Sequence, residues 1–312
     1  MIKTSNAGQT LRQQTVKRVK WSLPYYALLL FPLVYLFVFK YMPMWGIQIA
    51  FREFKSRTPM SQMEWVGLKY FIQFFNSPSF WKILSNTVML SLYSLLASFP
   101  IPIVLAICLN ECRSNRFSKI VQMTTFMPYF ISTVVLVSMI IQFTDIQIGI
   151  VNIWLKQLGH KPTGFMGVPG YFRHIYVWTG VWQTMGYSAV VYLAALSGVS
   201  QDLCDAALVD GANKWRKILH IDLPCIAPTI IILLILNTGN LVYVGFEKIY
   251  LMQNSMNANQ SEVISTYVYK MGIASTNYSF STAVGFFNAV VGFVLVMITN
   301  TISRRVSETS LW

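Results

Sequence analysis

The sequence predicts an all-α integral membrane protein, and two observations carry that prediction. The 312-residue chain is 54% hydrophobic and only 11% charged, whereas soluble domains carry about 25% charged residues. In addition, apolar runs long enough for a helix to cross the hydrocarbon core, about 20 residues each, recur along the chain. We predict six such spans, over residues 22–41, 84–109, 120–143, 174–198, 226–250 and 281–302.

The basic residues predict the orientation of these spans. The chain has a net charge of +13, and residues 1–20 contain five basic residues and no acidic one. Further basic residues lie in the loop 110–119 and in the tail 303–312. Because Lys and Arg in short loops favour the cytoplasmic side, we expect both tails, 1–20 and 303–312, to be cytoplasmic and the transmembrane domain to occupy 21–302.

The segments that join the spans predict local features. Pro100 and Pro102 lie inside the second apolar run, where they predict a kink or an unwound turn. The segment 42–83 mixes aromatic and basic residues, which is typical of a helix at the membrane interface. Glycine and proline are dense in 144–173, which predicts turns, and 251–280 is polar.

The polar loop 200–224, before the fifth span, predicts a compact helical device. Ser200 can cap a helix that begins just after it, and Gly211 supplies the positive φ that ends helices. Asn213 can cap a second helix over 214–220. We therefore expect two short helices, set at an angle, that project from the membrane.

The order of residues in this loop is more specific than its local chemistry. An acidic residue is followed by two alanines and then by a glycine. After nine intervening residues comes Ile-x-Leu-Pro. The residues are Asp205, Ala206, Ala207, Gly211, Ile221, Leu223 and Pro224, with Asp210 just before the glycine. This pattern closely resembles the cytoplasmic coupling loop of bacterial ABC importer permeases, except that the family usually has Glu where this chain has Asp205.

Other segments resemble one branch of that family. They are residues 39–47, Asn86-Thr87, 106–111 and 266–269. They are similar to carbohydrate permeases of the maltose type, in a branch that serves complex oligosaccharides and polysaccharide fragments. The similarity extends over nearly the whole chain from about residue 25.

The resemblance implies an architecture and a set of partners. The fold would be a six-transmembrane-helix permease with cytoplasmic coupling helices, embedded in the lipid of a bacterial plasma (inner) membrane. The translocation path would form with a second homologous permease. An extracellular solute-binding protein, lipid-anchored or periplasmic, would deliver the oligosaccharide. Two ATPase subunits, identical or different, would bind ATP and Mg and dock on the loop 200–224, so no cofactor, metal or catalytic residue is expected on this chain.

A sugar path needs aromatic rings and hydrogen-bonding groups inside the apolar bundle, where polar groups are costly and usually face a cavity or another helix. The candidates are Trp178, Trp182, Gln183 and Tyr187 on the fourth span, Asn237, Asn240, Tyr243, Glu247 and Lys248 on the fifth, and Asn288 on the sixth. Each also has an ordinary structural interpretation. The two asparagines can bond neighbouring helices, and Trp178 can belong to an interfacial aromatic belt.

Several other function classes find little support. No Gly-x-x-x-x-Gly-Lys-Ser/Thr sequence that would hold ATP is present, and the scattered basic residues form no nucleic-acid face. The cysteines, Cys108, Cys112, Cys204 and Cys225, lack companions for a metal site. Two alternatives stay open at this point. One is an importer of a non-sugar solute, and the other is a membrane-embedded glycosyltransferase-type enzyme, for which Asp145 is an isolated carboxylate.

Overall fold

The computed structural model describes residues 5–241 and 245–307. The described residues form helices joined by turns, and they contain one isolated β-bridge, between Arg52 and Trp65. The chain divides into two units, residues 1–67 and 68–312, which are described separately.

The first unit is built on one long helix. Helix α1 (Ser5–Leu36) continues through a π-helical turn (Phe37–Tyr41) and α2 (Met42–Met44) into a 3₁₀ helix (Trp45–Phe51). A short 3₁₀ helix, Met60–Gln62, follows. The Arg52 guanidinium donates to the carbonyls of Met60 and Met63, at 2.9 and 3.1 Å, and packs over the Trp65 ring. The segment predicted as interfacial is thus folded back on itself by one arginine.

The second unit contains the remaining helices in chain order. They are α3 (Lys69–Phe75), α4 (Phe80–Ser98), α5 (Pro100–Asn110), α6 (Asn115–Phe126), α7 (Thr133–Phe143), α8 (Ile150–Gln157), α9 (Pro169–Leu196), α10 (Gln201–Val209), α11 (Lys214–Lys217), α12 (Leu223–Gly239), α13 (Phe246–Met252), α14 (Ala258–Ser261), α15 (Ile264–Tyr269) and α16 (Tyr278–Ser307).

Helix α9 is the centre of this unit. Near its beginning, Val177 and Val181 pack with Leu136 of α7 and Ile249 of α13 in one buried cluster. Near its end, Ala189, Tyr192 and Leu196 pack in a second cluster with residues of α5 and α12. Burial of these apolar side chains, at about 25 cal/mol per Å², holds the surrounding helices to α9.

Between the two clusters, α9 crosses α6 at very close range. Gly186 is buried there, and a methyl group in place of its hydrogen would overlap the carbonyl group of Thr125. Two backbones approach this closely only where one of the residues is small, as is common between membrane helices.

The two prolines of the second apolar run do not unwind the helix. Phe99, between α4 and α5, keeps helical angles (φ −81°, ψ −50°), and Phe80–Asn110 forms one candidate span of 31 residues. Pro100 opens α5, in the first helical turn, where a missing N–H costs nothing. The predicted unwound turn is therefore not found.

The third predicted span, 120–143, is broken. The helical segments Asn115–Phe130 and Thr133–Phe143 are bent by 98° relative to each other. Pro128 begins the closing 3₁₀ turn of the first segment, and the Ser132 hydroxyl caps the second by accepting from the Val135 amide at 3.4 Å. The amide of Gln183, on α9, donates to the Ile131 carbonyl at the break (2.9 Å).

The fifth predicted span differs at both ends. Its helix begins at Lys214, runs through a π-helical turn (Ile218–Asp222) and ends at Gly239. Residues 226–250 are therefore not one helix, because the chain turns at Asn240 and starts again as α13. Likewise, the second short helix expected at 214–220 is the beginning of this long helix.

In the described residues, four helices are long and apolar enough to cross a membrane: Trp21–Phe51, Phe80–Asn110, Lys214–Gly239 and Tyr278–Arg305. The bent pair is a fifth if its two halves form one span. Helix α9, the predicted fourth span, is 28 residues long, which is about 42 Å. It is not among the four because its mean hydropathy is lower than theirs.

The Gly/Pro-rich segment 144–173 contains helix α8 as well as turns. Asn152, fully buried on α8, donates to the carbonyls of Asp145 and Thr163 at 2.9 and 3.0 Å. The amides of Ile148 and Gln147 donate to the Asp145 carboxylate and lower the pKa of this group below its ordinary value. Asp145 therefore stabilises a turn as an anion, which does not suit a proton donor.

A second polar region is held together by hydrogen bonds among side chains from several helices and loops. We name it the asparagine network: Asn86, Arg173, Gln253, Asn254, Asn257, Ser261, Glu262 and Lys270. Asn257 is fully buried, and its side chain donates to the carbonyls of Met166 and Met252, both at 3.0 Å. Its oxygen accepts from the Asn254 amide and the Ser261 hydroxyl, at 3.0 and 2.9 Å.

The network joins three parts of the second unit. Asn86 on α4 donates to the Glu262 carbonyl at 3.0 Å and accepts from Arg173 of α9 at 2.9 Å. The ammonium of Lys270 lies 2.7 Å from the Glu262 carboxylate. Asn86 and the end of α5 are separated by about 24 residues of helix, or about 36 Å. The network therefore lies at one end of this helix, and the loop after α5 lies at the other.

Candidate functional site

The loop 200–224 has the capping expected of it. The Ser200 hydroxyl accepts from the Asp202 amide at 3.2 Å, and α10 follows. The Asn213 side chain accepts from the Arg216 amide at 2.9 Å, and α11 follows. Between them Gly211 has φ +72°. These polar caps satisfy amides that a helix start leaves free, and the glycine allows the sharp reversal.

Helix α10 has an inner and an outer face. Cys204 and Ala207 are half-buried and line a cavity of about 250 Å³. On the outer face Leu203, Ala206 and Val209 recur at intervals of three residues and are exposed, Val209 to 88%. Exposed apolar side chains that cluster on a short helix mark an interaction surface.

The predicted coupling residues divide between these faces. Asp205, Ala206, Asp210 and Gly211 are exposed. The Gln201 amide donates to the Asp205 carboxylate at 3.0 Å, one turn along α10. Ala207 faces inward.

The Ile-x-Leu-Pro half of the pattern lies at the base of the next helix. Ile221 belongs to the π-helical turn, and Leu223 packs against the second buried cluster. Pro224 is exposed in the first turn of α12. This half therefore roots the loop in the helix bundle.

Sequence reasoning missed an ion-pair cluster under the loop. Glu111, which follows α5, pairs with Lys217, and the Lys217 ammonium lies 3.7 Å from the Asp222 carboxylate. The Lys214 ammonium donates to the Glu111 carbonyl at 3.3 Å. A sequence signal existed, because Glu111 is an acidic residue at a predicted cytoplasmic helix end whose other charges are basic, and 214–217 is a basic run.

Two adjoining cavities lie between α4, α5, α9 and α12. The larger, of about 370 Å³, is lined by Ser98, Phe99, Pro102, Thr184, Tyr187, Ser188, Val191, Tyr192, Leu233 and Asn237. The smaller, of about 170 Å³, is lined by Ser91, Ser94, Leu95, Ser98, Tyr176, Asn237, Asn240, Leu241 and Gly245. Ser98 and Asn237 line both cavities, and we name the two cavities together the groove; it has hydroxyl, amide and apolar side chains on its walls and lies beside the middle of the helix Phe80–Asn110.

Three predicted path residues line this groove. They are Tyr187, Asn237 and Asn240. The Tyr187 ring stacks on Tyr129 with centroids 4.0 Å apart. Both asparagine amides donate to carbonyls one turn back, those of Leu233 and Leu236.

The other aromatic and amide candidates on α9 lie elsewhere. Trp178 donates to the Tyr93 hydroxyl at 2.9 Å, and that hydroxyl bonds His174 at 2.8 Å. Trp182 is exposed and does not line the groove. Gln183 is used at the helix break described above. The predicted α9 set is thus split, because residues 178 and 182 lie on the opposite side of the helix from 187.

The remaining candidates also lie away from the groove. Glu247 is exposed on α13. Lys248 is buried, donates to the Tyr176 carbonyl at 2.9 Å and stands 4.9 Å from the centre of the Tyr176 ring. Asn288 is buried in α16. Tyr243 lies outside the described residues.

Sequence reasoning also missed the serines of α4. Ser91, Ser94 and Ser98 line the groove, and with Thr87 they recur at intervals of four, three and four residues. That interval places small hydroxyl side chains on one helix face, which was readable in advance. The Ser94 hydroxyl is buried and has no hydrogen-bond partner among the described residues.

No metal centre is formed by the residues that the structure describes, since they hold no group of three or more His, Cys, Asp or Glu side chains. The four cysteines are free thiols. The groove and the loop 200–224 are therefore the two sites that the described residues build.

Comparison with known proteins identifies relatives along almost the full length. The protein LplB of Bacillus subtilis is 39% identical over 297 residues, which is 95% of this chain and 92% of LplB. The polygalacturonan/rhamnogalacturonan transport system permease protein YteP of the same organism is 39% identical over 92% of this chain and 89% of its own.

A solved structure has the same fold. One chain of a bacterial alginate ABC transporter, in complex with an alginate pentasaccharide-bound periplasmic protein, superposes with a TM-score of 0.87. It is 37% identical and covers 95% of this chain and 99% of its own. The family model for a binding-protein-dependent transport system inner membrane component matches residues 98–308, and the chain belongs to that family.

Proposed function

We propose that this chain is a permease subunit of an ATP-driven importer for oligosaccharides or polysaccharide fragments in a bacterial inner membrane. The observation that carries this proposal is the near full-length similarity to a chain of an alginate importer, at 37% identity and a TM-score of 0.87. The similarity to a permease for polygalacturonan and rhamnogalacturonan points in the same direction.

The groove suits a sugar. Hydroxyl and amide side chains on its walls, such as Ser94, Ser98 and Asn237, can exchange hydrogen bonds with sugar hydroxyls. The Tyr187 ring offers an apolar face for a pyranose ring. No charged side chain is among the described residues that line it, so hydroxyl, amide and aromatic groups of this chain would make the contacts with a sugar.

A transport path needs a complete membrane domain. We infer six spans: the four long apolar helices, the bent pair and α9. With both termini cytoplasmic, the loop after α5 and the loop 200–224 lie on the cytoplasmic side, where their basic residues belong. The second permease would cover the open side of the groove.

The loop 200–224 is the proposed contact with the ATPase. The exposed face of α10, with Leu203, Ala206 and Val209, would enter a cleft on the ATPase subunit, and Asp205 and Asp210 would flank it. Closure of the paired ATPases would then move α10 and, through the base formed by Leu223, the helix bundle. ATP and Mg would bind to the ATPase subunits. A sugar-loaded binding protein outside would complete the cycle.

Copurification tests this function. The tagged chain is extracted from its native membrane in mild detergent, and its companions are identified by mass spectrometry. We expect an ATPase and a second permease. ATP hydrolysis by the reconstituted complex is then measured with binding protein and fragments of alginate, polygalacturonan or rhamnogalacturonan. A chain that is recovered alone, even after crosslinking in the membrane, would contradict the proposal.

A further inference from the structure

The loop 200–224 is joined to the membrane helices by the main chain at both ends and by an ion pair. The main chain enters α10 from α9 and runs from α11 through the π-helical turn into α12. The ion pair lies between Glu111, at the end of α5, and Lys217, at the end of α11. It joins the loop to a helix that is more than 100 residues away in the chain.

The ion pair is sheltered. The Glu111 side chain is 16% exposed and that of Lys217 is 21% exposed, whereas surface pairs open to water contribute little. Asp222, 1% exposed, stands on the other side of Lys217. The lysine therefore lies between two carboxylates, that of Glu111 after α5 and that of Asp222 just before α12.

The two tied helices form two of the walls of the groove, and α9 forms a third. The helix that ends beside Glu111 carries Ser94 and Ser98, and α12 carries Asn237. The main-chain link to α12 passes through a π-helical turn, a form usually found as a single-turn irregularity at functional positions. The main chain therefore carries a push on α10 to α9 and α12, whereas α5 is reached through the contacts of Glu111.

We propose that Glu111 is a positioning residue that makes α5 and α12 move together when α10 is displaced. The proposal rests on the transport function proposed above. Glu111 acts through Lys217 and has no contact with sugar or nucleotide. When α10 moves, the ion pair makes α5 and α12, two of the walls of the groove, shift together.

Hydrogen exchange on the purified chain in lipid nanodiscs tests the tie without any ATPase. We expect Glu111→Gln to speed amide exchange in both 105–111 and 214–222. Glu111→Asp, which keeps the charge, should recover much of the protection. The matched control is Arg216→Gln, because Arg216 is an exposed cation of the same short helix. Unchanged exchange in Glu111→Gln would overturn the proposal.

A second measurement tests the joint movement in the assembled complex. Spin labels are placed at the exposed positions Val104, on α5, and Leu236, on α12, in a chain whose four cysteines are replaced by serine. Adding ATP and vanadate should leave the distance between the labels unchanged in the parent chain. It should shift that distance in Glu111→Gln and leave it unchanged in Arg216→Gln.

The outcomes separate the two proposals. A distance that responds identically in the parent and Glu111→Gln complexes overturns the tie and leaves the importer function standing. A Glu111→Gln chain that no longer assembles with the ATPase also overturns it, because the residue would then serve folding or docking. If the parent chain has no ATPase companion, the importer function fails, and the exchange experiment still decides whether the tie exists.

Discussion

The asparagine network and helix α10 treat their polar and apolar groups in opposite ways. In the network, polar side chains bond one another; Asn257 and Ser261 are fully buried, and the Glu262–Lys270 pair is partly exposed. On α10, leucine and valine side chains face outward and the acidic groups beside them are exposed. The network lies near the beginning of the helix Phe80–Asn110 and α10 lies near its end, about 36 Å away along that helix.

The difference shows which region is stabilised by contacts within this chain. Buried polar groups that bond one another, as they do around Asn257, are rigid and costly to disturb. An exposed apolar face instead contributes little until something covers it. The asparagine network is therefore stabilised by bonds within this chain, whereas the apolar face of α10 is left uncovered by the described residues. Substitutions should separate the two regions, with loss of stability in the network and loss of assembly or coupling at α10.

The largest effect is expected for Asn257→Ala in the network. The change removes a partner from the carbonyl of Met252, and it removes one of two partners from the carbonyl of Met166 and from the hydroxyl of Ser261. Because a buried unsatisfied group costs about 1–3 kcal/mol, we expect a loss of about 2–3 kcal/mol in the free energy of unfolding, measured by denaturation in detergent. The control is Asn259→Ala, because that side chain is exposed. Equal losses of unfolding free energy in Asn257→Ala and Asn259→Ala would contradict the stabilising role of Asn257.

The next effect is expected for Val209→Asp on α10. The free energy of unfolding should change by no more than about 0.5 kcal/mol, because the side chain is on the surface. Burial of a valine is worth about 1.5 kcal/mol or more, so the ATPase recovered with the chain should fall at least tenfold. Val209→Ile should retain it. Full recovery with Val209→Asp would mean that this face is not the contact.

A smaller effect is expected for Gly211→Val, at the turn after α10. The added side chain has room, since nothing lies within 4 Å of the new atom, but φ is +72°. A branched residue in this region costs about 1–2 kcal/mol, and the turn should shift to relieve it. We expect normal membrane insertion and a lower ratio of sugar uptake to ATP hydrolysis in proteoliposomes. Gly211→Asn, which tolerates this conformation, should keep the ratio; a normal ratio in the valine variant would contradict the coupling role.

The smallest effect on stability is expected for Ser94→Ala in the groove. Because the Ser94 hydroxyl has no partner among the described residues, its removal should leave the free energy of unfolding unchanged or slightly raised. A lost hydrogen bond to sugar of about 1 kcal/mol should raise the KM for uptake severalfold. Ser138→Ala, whose hydroxyl bonds the Val134 carbonyl, is the control. An unchanged KM would exclude Ser94 from the path.

Features that depend on neighbours in the chain were predictable from the sequence. Ser200, Gly211 and Asn213 adopt their expected roles because caps and positive-φ turns depend on a few adjacent residues. The break at Ile131 and the end of α12 at Gly239 were not predicted. Both lie inside apolar runs, where hydropathy does not reveal a change of direction.

The groove was only partly predictable, for a physical reason. Composition identified aromatic and amide residues on α9 and α12, but it did not say which face of α9 meets which neighbour. Tyr187 and Asn237 line the groove, whereas Gln183 and Trp178 bond other parts of the chain. Pairings over long sequence separations, such as Glu111 with Lys217, follow from the packing of whole helices.

The close crossing at Gly186 has a consequence for reading natural variation in this family. Within one and a half turns of α9, Gln183 supports the bend, Gly186 admits a neighbouring backbone, and Tyr187 faces the groove. A glycine or glutamine that is invariant at these positions would reflect the packing of the fold and not the identity of the transported sugar. Relatives that transport different sugars should therefore differ at the position of Tyr187 and share a glycine at the position of Gly186.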